Sequence, residues 1–196
     1  MTVKLLAMAG STRTGSLNQA LVDLAVADAR TKGAEVTAIR LKDFDLPLYD
    51  GDLEAQAFPP AARELKRLFV GHHGFLMATP EHNGSTSAVL KNAIDWVSRP
   101  TEPGETMVTL AAFRGKVAGL MAASISPFGG IRGITHLRQI LGTIQTVVAT
   151  EQLLIPFAQN AFDEAGALKE ALPAQILGMT VSRVIDLATR LEPPTA

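Results

Sequence analysis

Val3-Lys-Leu-Leu-Ala-Met-Ala9 runs directly into Gly10-Ser-Thr-Arg-Thr-Gly15-Ser-Leu-Asn18, and the fold is decided at this junction. The first part is an apolar run of strand length. From Ser16 to Lys32, residues Leu17, Leu21, Leu24, Ala25 and Ala29 recur mainly at spacings of three and four, and Gly33 follows as a stop, which predicts an amphipathic helix. A strand passed through a Gly-containing turn into a helix opens a βαβ unit, whose strands are parallel.

The pattern repeats along the chain. Glu35 to Leu41 alternates as a strand does, and Asp43 to Pro60 is a long connection rich in Asp, Pro and Gly. Pro59 and Pro60 open a second helix reaching about Val70, and Gly74 to Thr79 is a buried strand that ends at Pro80. A third helix is expected from about Thr86 to Val97, a fourth strand from Lys116 to Ser124 and a fourth helix from Gly130 to Leu141. Thr146 to Ala149 begins a fifth strand, and a last helix spans roughly Gly166 to Arg190. Five strands alternating with helices predict an α/β three-layer, doubly wound parallel sheet of order 2-1-3-4-5, with residues 1–196 as a single domain.

Composition narrows the function. With 47% apolar and 19% charged residues among 196, the chain can bury a full core and is not disordered. A net charge of −1, with no run of Lys or Arg longer than a pair, lacks the basic footprint of a nucleic-acid binder. The absence of cysteine excludes disulfides, thiolate metal sites and cysteine nucleophiles, and fits a cytoplasmic protein. No apolar stretch approaches the roughly 18 residues of a membrane span, so a soluble protein is expected.

In a sheet of this order, ligands bind beyond the carboxyl ends of the strands, where the strand order reverses. The loops after strands one, three and four therefore matter most. In Gly10 to Asn18 the backbone N–H groups and the helix dipole face an anion, Ser11 and Ser16 bring hydroxyls, Arg13 a planar guanidinium and Asn18 an amide. Gly10 and Gly15 have nearly the Walker A spacing, but Ser16 stands where that pattern requires Lys, which argues against a nucleoside triphosphate. The segment is not G-x-G-x-x-G either. A terminal monophosphate, as in FMN, fits better than both; the plainer alternative makes Ser16 an N-cap and Arg13 a surface residue.

After strand three, Thr79-Pro-Glu-His-Asn-Gly-Ser85 is a Pro-led polar turn that presents backbone groups edge-on, as the hydrogen-bonding rim of an isoalloxazine ring requires. After strand four, Ser124-Ile-Ser-Pro-Phe-Gly-Gly-Ile-Arg132 carries paired glycines that let a backbone pass close to a flat ligand. Ser124, Ser126 and Gly129 are candidates for the flavin edge, and Arg132 for the phosphates of a nicotinamide cofactor or for a neighbouring subunit. A plain turn and cap is the alternative for each.

Gly10-Ser-x-Arg-x-x-Ser-x-Asn18, Pro80-Glu-x-Asn-x-Ser85 and Leu90-Lys-Asn-Ala-Ile-Asp-Trp-x-Ser-Arg-Pro100 together resemble the NADPH-dependent FMN reductase family, which includes bacterial quinone, azo-dye and chromate reductases. Gly129-Gly-x-Arg132, His136 to Leu141 and Gln159 to Leu168 extend the resemblance over essentially the whole chain. It implies a flavodoxin-like fold, bound FMN, NADPH or NADH as co-substrate, and a homodimer or homotetramer. It maps Ser11, Arg13, Ser16 and Asn18 to the phosphate loop, with Leu17 giving its backbone amide, and Pro80, Glu81, Asn83 and Ser85 to the loop against the flavin. The chain departs from the pattern at His82, where relatives usually carry Tyr, and at Ser87-Ala88, where they often have Pro or Gly. These departures bear on the mouth of the pocket and on acceptor preference.

His72 and His73 are adjacent and no His pair has i, i+4 spacing, so no metal site is expected, and His82 is read as an aromatic wall of the pocket. Lys91, Asn92 and Asp95 read as structural helix residues. Trp96 is assigned to a subunit interface, formed by the helices Thr86–Val97 and Gly130–Leu141. With a flavin to carry the chemistry, no catalytic side chain is required, and the expected scheme is ping-pong hydride transfer from NAD(P)H to a flavin, quinone or similar small acceptor. A flavodoxin-type electron carrier is the alternative, though such carriers tend to be strongly acidic, and a phosphotransfer enzyme is opposed by the missing Lys.

Overall fold

The sheet is built from strands that differ in burial according to their place. In a computed structural model, which describes residues 2–191, β1 (Lys4–Ala9), β3 (Gly74–Ala78) and β4 (Val117–Ala123) are buried at every position except Lys4, as strands covered on both faces must be. β2 (Glu35–Arg40) and β5 (Val147–Ile155) are partly exposed and form the edges. All neighbours are parallel, and the order is β2-β1-β3-β4-β5. Ala9 pairs in register with Arg40 on one side and Ala78 on the other, so the chain leaves β1, β2 and β3 at the same level.

Alternate side chains feed two separate cores. Leu5, Ala7, Leu76 and Met121 pack on one face with α1 (Leu17–Thr31) and α6 (Ala171–Arg190). Leu6, Met8, Phe75 and Leu120 pack on the other with α3 (Pro60–Val70), α4 (Ala88–Val97) and α5 (Ile131–Thr143). This is the flavodoxin-like three-layer arrangement expected from the pattern of elements.

A short helix, α2 (Gly51–Gln56), interrupts the connection read as irregular from Asp43 to Pro60. It has no buried residue and hence no periodic signal; Asp50 caps it by accepting from the N–H groups of Asp52 at 2.7 Å and Leu53 at 3.3 Å. α6 begins at Ala171 rather than near Gly166, which instead occupies a left-handed turn position at φ +82°.

Trp96 requires a correction. It is fully buried within its own chain, donates from Nε1 to the Pro47 carbonyl at 2.8 Å and meets Tyr49 and Phe58 edge-on, so it cannot face a neighbouring subunit. Asn92 completes the same clasp, accepting from Tyr49 N–H at 2.8 Å and donating to the Pro47 carbonyl at 2.9 Å. α4 thus fixes the loop that follows β2. Lys91 and Asp95 form an i, i+4 ion pair at 2.7 Å on the outer side of that helix.

Candidate functional site

Between β1 and β3 the strand order reverses, and a cleft of about 500 Å³ opens there, a size suited to a cofactor. Its walls come from all three expected loops: Gly10 to Arg13 and Ser16 to Asn18, then Pro80 to His82 with Ala88 and Val89, then Ala123 to Ile125.

Gly10 lets the first two walls close together. A Cβ there would lie 2.6 Å from Ser87 Oγ and 2.9 Å from Leu90 Cβ, so any side chain would push α4 away. Ser16 is the N-cap of α1, its Oγ accepting from Gln19 N–H at 3.3 Å. Both readings of Ser16 can hold at once, because the hydroxyl still has its hydrogen to donate. Arg13 folds back over the loop, its Nη2 3.1 Å from the Gly15 carbonyl, and Ser11 Oγ accepts from Arg13 N–H at 3.4 Å.

Among the described residues, the backbone N–H groups of Gly15, Ser16, Leu17 and Asn18 have no acceptor. Four orphan donors at a helix start, with Arg13 beside them, fit a phosphate dianion. The FMN phosphate therefore suits the residues present. Thr12, which also lines the cleft, was not singled out from the sequence and adds a hydroxyl.

Asn18 is used differently from what the sequence led us to expect. Its Nδ2 donates to the Ala123 carbonyl and its Oδ1 accepts from the Ala123 N–H, both at 2.9 Å, and the residue is only 4% exposed. The amide is a clamp that ties the start of α1 to the end of β4. Leu17 lies in the cleft wall, and its backbone N–H is among those without an acceptor.

The loop after β3 is a hairpin. His82 and Ser85 exchange backbone hydrogen bonds of 2.9 and 3.0 Å around Asn83 and Gly84, whose φ values of +50° and +78° give a type I′ turn. Asn83 is exposed at the tip, and Ser85 turns to His136, its Oγ 2.9 Å from Nδ1; neither lines the cleft. Asn-Gly is present here for its left-handed backbone.

Glu81 anchors this hairpin. Its side chain is 6% exposed, pairs with the Arg132 guanidinium and accepts from Arg132 N–H at 3.1 Å at the start of α5. Burial alone would raise the pKa of this carboxyl; the Arg132 guanidinium and the N–H groups of Gly133 and Arg132 outweigh it and hold the group below the ordinary range. Arg132 also lies over the Phe128 ring, 5.0 Å from its centroid. Its guanidinium is thus paired within the chain, while its side chain stays 56% exposed.

After β4, Ser124 lines the cleft and its Oγ meets Ser126 Oγ at 3.0 Å. Gly129 does not line it. A Cβ on Gly129 would meet Pro156 N at 3.1 Å, and one on Gly130 would meet Ala122 Cβ at 2.7 Å. Both glycines, at φ +62° and +87°, let the turn pack down on the strand ends rather than on a ligand. Among the described residues there is no group of three or more His, Cys, Asp or Glu able to hold a metal ion, and no helix is long and apolar enough to cross a membrane.

The chain matches the family model of NADPH-dependent FMN reductase over residues 3–160. It is 38% identical over 168 residues to an NAD(P)H-dependent FMN reductase of Pseudomonas aeruginosa, covering 85% of this chain and 84% of the relative. It is 31% identical over 196 residues to an NAD(P)H:quinone oxidoreductase of Solanum tuberosum, covering 97% and 95% respectively. Among solved structures, the flavoenzyme NAD(P)H:acceptor oxidoreductase of Paracoccus denitrificans superposes with a TM-score of 0.78 at 26% identity, over 97% of this chain and 99% of that one.

Proposed function

The chain belongs to the NADPH-dependent FMN reductase family, and from that premise we propose that it is an NAD(P)H-dependent, FMN-containing oxidoreductase that reduces a quinone, a flavin or a similar small acceptor. The observation that carries this reading is the row of unpartnered N–H groups from Gly15 to Asn18 at the strand-order reversal. Those groups, with Arg13 and the Ser11, Thr12 and Ser16 hydroxyls, would hold the FMN phosphate; Pro80 to His82 and Ser124 with Ile125 would flank the ring. When bound, FMN supplies a two-electron carrier that takes a hydride equivalent from NAD(P)H and gives it to the acceptor.

The chain's own contribution is placement. Asn18 ties the phosphate loop to β4, and Glu81 ties the hairpin to α5, so the walls are fixed relative to each other. Among the described residues, no hydroxyl lining the cleft is hydrogen-bonded to a histidine or carboxylate base, so none is prepared as a nucleophile. Both substrates would use the one cleft in turn.

One domain spans the chain, supported by the single sheet. A homodimer or homotetramer is supported by the exposed apolar side chains of Ile125, which lines the cleft, Phe128 and Phe157, which are 69%, 58% and 52% exposed. A cytoplasmic location is supported by the supply of reduced nicotinamide cofactor there.

The test is spectroscopic and kinetic. The FMN-loaded protein should be yellow, bleach anaerobically with NADPH or NADH and recover its colour with quinone, and double-reciprocal plots at several quinone concentrations should be parallel. A protein that takes up no FMN in a fluorescence titration would end this reading. Bound FMN that neither nicotinamide bleaches would instead favour an electron carrier, a role for which a net charge of −1 offers little steering.

A further inference from the structure

The chain has four histidines, and three of them are engaged through the ring. His72 contacts the Leu68 carbonyl at 2.6 Å and Thr37 Oγ1 at 2.8 Å, His73 accepts from Lys4 N–H at 2.9 Å, and His136 meets Ser85 Oγ at 2.9 Å. His82 differs. Among the described residues its ring nitrogens have no hydrogen-bond partner, and it is the one histidine that lines the cleft.

Its backbone, in contrast, is held firmly. The two hydrogen bonds to Ser85 lock His82 at the first position of the type I′ turn, and the preceding residue is anchored through Glu81 to α5. A rigid base therefore presents a free imidazole at the cleft mouth, beside Ala88, Val89 and the 69% exposed Ile125. The carbon-lined rim can take the face of a flat apolar molecule, and among the described residues His82 is the one ionisable group lining the cleft whose side chain has no partner within the chain. The other ionisable groups lining the cleft are Arg13, turned onto the Gly15 carbonyl, and Glu81, occupied by Arg132.

Resting on the proposed FMN-dependent reaction, we propose that His82 recognises a carbonyl-bearing acceptor at the mouth of the cleft and acts as its proton donor. The acceptor class is a quinone. Its conversion to a hydroquinone takes two electrons and two protons, that is, one hydride equivalent and one further proton. NAD(P)H supplies the hydride equivalent and is oxidised to NAD(P)+. The further proton passes from the His82 imidazolium to a quinone oxygen, leaving a neutral ring that water at the open mouth reprotonates.

The test uses the FMN-loaded protein with isotope-labelled histidine and 2-methyl-1,4-naphthoquinone as probe; the chain has no cysteine with which this quinone could form a thiol adduct. In NMR, the His82 ring signals should move on addition of the probe, and those of the three engaged histidines should stay. His82→Phe should raise the Kd for the probe about ten-fold, the loss of roughly one hydrogen bond. It should also flatten the pH dependence of re-oxidation by quinone, and His82→Gln, which keeps a neutral donor, should restore probe binding but not the pH dependence. An unmoved His82 signal, or a His82→Phe variant with unchanged probe affinity and pH profile, would overturn the inference while bound FMN still bleached with NADPH. Failure to bind FMN at all would remove the proposed function and this inference together.

Discussion

Replacing Asn18 separates two roles that its position in the loop makes easy to confuse. As a phosphate ligand it would affect FMN affinity alone; as the clamp on Ala123 it sets the stability of the empty protein. Asn18→Ala removes two hydrogen bonds of 2.9 Å and orphans the Ala123 N–H and C=O in a site that is 4% exposed. Each orphaned backbone group costs about 1–3 kcal/mol, so the loss should be about 3 kcal/mol, somewhat reduced if water enters. At about 2–4 °C per kcal/mol for a chain of this size, Tm of the FMN-free protein should fall by about 6–12 °C. Asn18→Asp, nearly identical in shape, keeps the acceptor for Ala123 N–H but places a carboxylate oxygen against the Ala123 carbonyl, so it should be no better than alanine. Thermal unfolding followed by circular dichroism, with FMN titrated separately, checks both variants. An apo-protein Tm within about 2 °C of the parent for Asn18→Ala would refute the clamp and return Asn18 to the phosphate.

Three further outcomes follow from the geometry. Arg13→Ala with Ser16→Ala should raise the Kd for FMN by about 10- to 100-fold in fluorescence titration, and Ser16→Ala should in addition cost about 1 kcal/mol of apo stability as a lost N-cap. Lys116 is 7% exposed and donates to the carbonyls of Phe69, Val70 and His72 at 2.6–2.7 Å, and burial lowers its pKa from 10.5 to about 8. The folded state therefore sheds this proton first, and stability relative to Lys116→Met should rise by up to about 3 kcal/mol between pH 8 and 10.5, as measured by urea unfolding across that range. Gly130→Ala should destabilise by more than 1 kcal/mol, since it combines φ +87° with a Cβ 2.7 Å from Ala122 Cβ; thermal unfolding reads the loss.

Element type and order were legible because burial writes itself into the sequence. Ala7, Met8 and Leu76 sit in strands covered on both faces, so their segments read as unbroken apolar runs, and the helices carry one apolar stripe each. α2 left no such trace because none of its side chains is buried. Trp96 was misplaced for a related reason: helical spacing shows that it belongs to a buried stripe, but the Pro47–Tyr49 loop that covers it lies nearly fifty residues away. Paired glycines at 129 and 130 suggest a backbone passing close to a flat ligand, but a sequence does not say what approaches; the neighbours that a Cβ would meet here are Pro156 and Ala122.

The same limit explains which polar residues of the loops reach the cleft. A site that offers backbone N–H groups to a phosphate needs side chains that fix the backbone, and those side chains are polar residues in the same short segments. Asn18, Glu81 and Ser85 spend their groups on Ala123, on the start of α5 and on His136. Asn83 contributes a left-handed φ. The side chains left free toward the cleft are the Ser and Thr hydroxyls of the first loop and the His82 ring, and their spacing in the sequence is no different from that of the clamps. It follows that hydroxyl substitutions, each removing one donor from a set backed by four N–H groups, should act on ligand affinity, whereas substitutions at Asn18 or Glu81 should move whole walls and be felt in the empty protein first.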